Sequence, residues 1–176
     1  MKPLTILVLP GWYPTPREPL SGPFVRDHAR AAAAYGHNVV VLVDEGPRRG
    51  VRGALELPES RDEQLRIVRF DHRPHTGRVA YIPAVLTLAR KLAREGTPVD
   101  VIHAHIHWMG WPAVIAGAIL RRPVVISENS TEWPNHTISR RGLSQADSAD
   151  ITRVRICPVQ AGTELGARAV ADRTVL

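Results

Sequence analysis

The sequence has a single cysteine, Cys157, so no disulfide can form within the chain and a disulfide-built scaffold is excluded. Lysine is nearly as scarce. Lys2 and Lys91 are the only two, and arginine supplies the rest of the 23 basic residues that outweigh 17 acidic ones. Aromatic residues amount to 5%. Nucleic-acid binders concentrate positive charge and interleave it with stacking rings. Here the arginines are scattered in pairs (Arg48 and Arg49, Arg121 and Arg122, Arg140 and Arg141), and no nucleic-acid partner is expected. Such a surface suits a phosphorylated ligand or peripheral contact with an anionic membrane face better, or is simply an arginine-biased soluble surface. Long apolar runs are missing too. Trp108 to Leu120 falls short of the roughly 20 residues that span a bilayer. Leu4 to Leu9 is too short for the core of a signal peptide, and Pro10-Gly11 follows it without a small-residue cleavage pattern. A cytoplasmic protein is expected, peripheral at most to the inner membrane face.

What the chain does have is 176 residues, 44% of them hydrophobic, enough for one domain over 1–176 with a single core. Short apolar runs alternate with helical segments, the pattern of an α/β, Rossmann-like open parallel sheet with helices on both faces. Strands are predicted at Leu4 to Leu9, Asn38 to Val43, Leu65 to Phe70 (nearer an edge), Val99 to His105 and Pro123 to Ser127. Helices are predicted at Phe24 to Tyr35, Ala80 to Arg94 and Trp111 to Leu120, with Gly36 and Gly96 ending the first two. Asp44 to Gln64 reads as a surface loop, and a second polar loop carries His72 and His75. Past Asn129 the pattern weakens to a helix around Leu143 to Asp150, a strand around Val154 to Pro158 and a helix from Gly162 to Val170. Arg173 to Leu176 looks like the opening of another strand.

A sheet of this kind binds ligands beyond the carboxyl ends of its central strands, where successive connections leave in opposite directions. The first and fourth strands are the expected neighbours there. Their exits hold Gly11 to Gly22 and the run His103, His105 and His107, with Glu128 and Asn129 just past the fifth strand. Ser21-Gly22-Pro23 opens a helix, and its bare amides suit a phosphate; as a structural feature it is equally a long turn with a good cap. Alternate residues of a strand share a face, so the three histidines are expected to point together. Zinc at H-x-H needs further ligands, and His28, His37, His72, His75 and His136 supply no pattern, so no metal is expected. Trp12, Trp108, Trp111 and Trp133 all fall in loops at or near this edge, where indole faces stack on sugar rings.

Three segments carry a resemblance: YPTPREPLSGPFVRDHARAAAAYGHNVVVLV, DVIHAHIHWMGWPAVIAGAILRRPVVISEN and, more weakly, ICPVQ. In order and spacing they are similar to the N-terminal, acceptor-side domain of the retaining family-4 glycosyltransferases, whose GT-B fold sets two Rossmann-like domains face to face. The resemblance implies transfer of a sugar, with retention, from a nucleotide-sugar co-substrate to an acceptor, with no other cofactor. It implies that Gly22, with Gly11 in the same loop, lies near the donor diphosphate. His105 would form the cleft floor, and Asn129 would approach the transferred sugar. Asn129 and His105 are thus the catalytic candidates, and Trp12, His103, Trp108, Glu128 and Trp133 the substrate-binding ones. Many relatives carry histidine where Asn129 stands, and asparagine cannot change charge near neutral pH. Relatives likewise tend to carry serine at the position of Gln160. They also continue into a C-terminal donor-binding domain, which this sequence does not include, so that domain or a separate subunit is an expected partner. A non-catalytic or regulatory module of a split glycosyltransferase is the alternative, and a metal hydrolase built on HAHIH a minor one.

Overall fold

Four apolar residues in a row after Thr5 need cover on both sides, because a strand shows alternate residues to opposite faces. The computed structural model, which describes residues 2–15, 18–47, 57–128 and 154–158, provides that cover. The chain runs β1 (Thr5–Leu9), α1 (Pro23–Ala34), β2 (Asn38–Pro47), β3 (Glu59–Asp62), β4 (Leu65–His72), a 3-10 turn (Gly77–Ala80), α2 (Tyr81–Arg94), β5 (Val101–His105), α3 (His107–Leu120), β6 (Val124–Glu128) and β7 (Val154–Pro158). Among the described residues these strands form one sheet, ordered β3-β4-β2-β1-β5-β6-β7. Every neighbouring pair is parallel except β3 with β4.

The alternation along the strands divides the core in two. Val8, Val39, Val41, Val43 and Ile67 pack with Val25, Ala29 and Ala33 of α1 on one face. Leu7, Leu9, Val40, Leu42, Val68, Phe70 and Ile102 meet α2 and α3 on the other. β1 lies between β2 and β5. The chain leaves it over one face through α1, and reaches β5 over the opposite face through α2. The carboxyl ends of β1 and β5 therefore border the crevice expected where the winding reverses.

Three expectations need correction. Asp44 to Gln64 is not all loop: β2 runs on to Pro47, and Glu59–Asp62 forms an antiparallel strand. Two of its four polar residues are held by ion pairs and a third by a hydrogen bond, rather than by a buried face. Arg66 bonds Glu59, Arg30 bonds Asp62, and Arg69 donates to Ser60 at 2.6 Å. β4 is consequently one place in from the edge, and it extends to His72, a residue expected in the following polar loop. The third helix begins at His107, four residues before Trp111, so Pro112 sits inside it rather than in its first turn. The helices expected at 143–150 and 162–170, and the strand expected from Arg173, lie outside the described residues.

α3 lies close on β6 through two glycines. A Cβ on Gly117 would fall 2.4 Å from Val124 Cγ2 and 3.0 Å from the Arg122 carbonyl oxygen, and one on Gly110 would fall 2.8 Å from Ile126 Cδ1. Glycine to alanine inside a helix ordinarily stabilises by about 0.5–1 kcal/mol. Here the sign reverses: Gly117→Ala is expected to destabilise the chain by about 1–3 kcal/mol from overpacking, read as a lower urea midpoint.

Candidate functional site

The loops leaving β1 and β5 touch at Gly11. A Cβ there would lie 2.8 Å from Ile106 Cδ1, 3.0 Å from Trp108 Nε1 and 3.3 Å from the His105 carbonyl oxygen. The loop after Gly11 returns to the same place. Gly22 is the N-cap of α1 and has left-handed backbone at φ +58°. A Cβ on it would come 2.5 Å from the Trp12 carbonyl oxygen, so packing against Trp12 already demands a glycine at this position. No side chain caps α1, and its first turn holds no acidic residue. The positive end of the helix dipole is left without an anionic side chain of its own.

Rings fill the rest of the crevice. Trp12 meets Trp108 edge to face at 5.4 Å, and the Arg78 guanidinium stands 4.9 Å from the centre of the Trp108 ring. Trp12 remains 42% exposed, which leaves indole surface open to a ligand. His103 and His105, two apart on β5, present their imidazoles on the α1 face with centroids 4.3 Å apart. His28 of α1 stacks on His105 at 5.6 Å, and Phe24 lies 6.5 Å from it. The Nε2 of His103 and the Ser127 hydroxyl of β6 are 2.7 Å apart. His107 does not join this column. The chain turns at Ile106 into α3, and the His107 ring lies beside Trp108 instead.

That turn is strained. Ile106 is β-branched and fully buried, yet has φ +73°, a region that β-branched residues avoid. It is kept there by its N–H donating to the Ser127 carbonyl at 2.8 Å and its carbonyl accepting from Met109 N–H at 3.0 Å.

Burial sets the histidine chemistry. His105 has no exposed surface, and desolvation, with the nearby His103 and His28 second, pushes its pKa down to about 3. Desolvation, then His28, lowers His103 to about 4. Both rings are neutral at neutral pH. Among the described residues no three His, Cys, Asp or Glu side chains are grouped to hold a metal ion, and no helix is long and apolar enough to cross a membrane.

The structure thus brings Gly11, Trp12, Gly22, His103, His105 and Trp108 to one crevice. Glu128 is the last residue of β6, the strand paired with β5, while Asn129 and Trp133 lie outside the described residues. Trp108 and Trp111 belong to the first turns of α3 rather than to a loop. Sequence reasoning missed Phe24, His28, Arg78 and Ser127. The four-residue spacing of Phe24 and His28 on one helix was the available signal for the first two.

A family model described as Glycosyltransferase Family 4 matches residues 22–161, more than half of the chain and the span from the Gly22 cap through β7. The chain belongs to glycosyltransferase family 4. The family-4 chain has the Rossmann-like sheet that the sequence implied for one half of a GT-B fold. Among solved structures it is similar to the catalytic domain of starch synthase IV from Arabidopsis thaliana bound to ADP and acarbose. That likeness has TM-score 0.48 and 12% identity, over 74% of this chain and 35% of that one. It is also similar to sucrose-phosphate synthase from Thermosynechococcus elongatus, at TM-score 0.45 and 14% identity over 85% and 38%. The family-4 chain therefore spans little more than a third of either of those chains. Likenesses at this level say nothing of its substrate. No curated protein matches it.

Two outcomes follow from the site's geometry. Ile106→Gly relieves the positive φ that Ile106→Ala retains, so the glycine variant is expected to be more stable than the alanine variant by about 1 kcal/mol; the two urea midpoints decide it. The histidines give a pH dependence of known sign. The unfolded chain takes up protons at these positions below about pH 6.5, whereas the folded chain does so only near pH 4 and 3. Their contribution is complete above about pH 6.5 and is lost as the pH falls toward about 4 and 3. Urea midpoints of wild type should drop over that interval, and those of His105→Leu should drop less.

Proposed function

We propose that this chain forms the acceptor side of a cleft in which a sugar passes, with retention of configuration and without a metal, from a nucleotide-sugar donor to an acceptor. The observation that carries the reading is the meeting of the β1 and β5 exits at Gly11, which gathers an uncapped helix end, an exposed indole and neutral imidazoles at the reversal of winding. In this reading the amides around Gly11 and Gly22, with the positive end of α1, face the donor diphosphate. Trp12 offers its exposed ring to a sugar, and Trp108 braces it from the edge. His105, buried and neutral, serves as a shaped floor held by His28, Phe24 and His103, and not as a base. Asn129, next in sequence after β6, is assigned to the transferred sugar, and Glu128 and Trp133 to substrate binding. Chemistry of this kind depends on stabilising a leaving diphosphate and positioning the acceptor, so a charge-switching residue is not required. A donor-binding domain or subunit completes the cleft.

The division of labour is testable. Calorimetry on the chain alone should find nucleotide-sugar binding weaker than micromolar, and transfer should appear only with a donor-binding partner. In that complete system Trp12→Ala should lower kcat/KM by about tenfold or more, the scale of a lost aromatic contact. Micromolar donor binding by this chain alone, or an indifferent Trp12→Ala, would sink the assignment.

The second reading, a non-catalytic module paired with a donor-binding subunit, draws on the outer side of α3. Trp111, Ile115 and Ile119 follow one another at four-residue spacing and are 40%, 41% and 56% exposed.

A further inference from the structure

The arginines of this chain have different employments. Arg30 pairs with Asp62 and Glu63, Arg66 with Glu59 and Glu95, and Arg69 with Glu45. Like Arg90 and Arg94, Arg78 is exposed, and among the described residues no carboxylate pairs with it. Its guanidinium stands over the Trp108 ring instead, at the rim of the crevice where Trp12 meets Trp108 edge to face.

This placement is built by the backbone. Thr76 Oγ1 donates to the Arg73 carbonyl at 2.7 Å and lies 3.1 Å from His72 Nδ1, which fastens the turn to the end of β4. Gly77, at φ +46°, then swings the chain into the 3-10 turn that carries Arg78. Three residues on, the Tyr81 hydroxyl donates to the Pro10 carbonyl at 3.4 Å, which ties the same stretch to the exit of β1. An arginine on an indole face keeps the in-plane N–H donors of its guanidinium available, and that planar edge matches the paired oxygens of a carboxylate or phosphate.

We propose that Arg78 is a specificity-determining residue that selects an acceptor carrying a phosphate or carboxylate beside its sugar ring. The proposal rests on the sugar-transfer reading of this crevice and adds the charge of the acceptor to it. Trp12 takes the ring, and Arg78, braced by Trp108, takes the anionic group. The +6 formal charge of the whole chain does not explain such selectivity, because it is spread over scattered arginines.

The test uses the full chain labelled with nitrogen-15. The Trp108 indole N–H signal, assigned through Trp108→Phe, is followed while glucose, glucose 6-phosphate, glucuronate and inorganic phosphate are titrated in separately. Glucose 6-phosphate and glucuronate are expected to move the signal at about tenfold lower concentration than glucose, the scale of one charge-assisted contact. Arg78→Gln should erase that advantage and leave the response to glucose in place. Arg90→Gln, which removes an equal charge from an exposed position on α2, should retain it. Equal losses in the two variants would reduce the effect to net charge and overturn the proposal. Acidic and neutral sugars acting at the same concentration in wild type would overturn it too, while leaving the carbohydrate reading intact. Silence with all three sugars, whatever inorganic phosphate does, would remove both.

Discussion

Gly11 has no room for a side chain, and the crevice exists because of that. Strands that neighbour each other in a parallel sheet send their chains into separate crossovers, and nothing in the sheet itself brings the two exits together. Here they close to van der Waals distance over Ile106 and Trp108. The strained turn at Ile106 is the other half of the contact. By bending the chain at once from β5 into α3, it keeps Trp108 at the crevice while the His105 side chain stays beneath it. Trp108 then supports Trp12 on one side and Arg78 on the other. Backbone strain of this sort is of order 1–3 kcal/mol and persists only where the surroundings over-determine it. The buried Ile106 side chain and its two backbone hydrogen bonds provide that constraint.

Much of the sheet was legible because burial on both faces leaves an unmistakable trace. β1 reads as a nearly unbroken apolar run, β2 carries one from Val39 to Val43, and β5 and β6 open on apolar residues. α1 and α2 were bounded to within about a residue because Gly36 and Gly96 follow them in left-handed conformations that terminate helices. β3 was illegible because Glu-Ser-Arg-Asp has no apolar alternation: ion pairs stabilise it, and those partners are distant in sequence or chosen only by the fold. For α3 the sequence suggests a start at Trp111, four residues past the observed one at His107. The true start depends on a positive φ at isoleucine, which no residue preference announces. For the site, the winding rule brought the Gly11 to Gly22 loop to the exit of β5, where Gly11 meets Ile106 and Trp108, but said nothing of α1. His28 looked solitary in the sequence, and it stacks on His105 only once α1 is laid across the sheet.

The buried imidazoles narrow what the crevice can do. A histidine in an active crevice usually brings a proton that can move near neutral pH. Desolvation has removed that capacity from His103 and His105, leaving flat, uncharged rings with hydrogen-bonding edges. Such rings fix shape and hold a neighbour such as Ser127 in place. Charge at this edge comes instead from the end of the α1 dipole and the guanidinium of Arg78.

With Glu59–Asp62 hydrogen-bonded along its outer side, the Leu65–Val68 half of β4 offers no row of bare amides to a passing chain. Unpaired strand margins are templates for intermolecular sheet growth, and proteins commonly blunt them with short, charged strands. The one here is four residues long, and Glu59 is clamped by Arg66 and by Lys91 from α2. A second molecule adding itself at that margin would have to lie against charged side chains already engaged with partners. The hydrophobic strands at the centre of the sheet are thereby shielded, on this side, from recruiting a neighbour into a fibril.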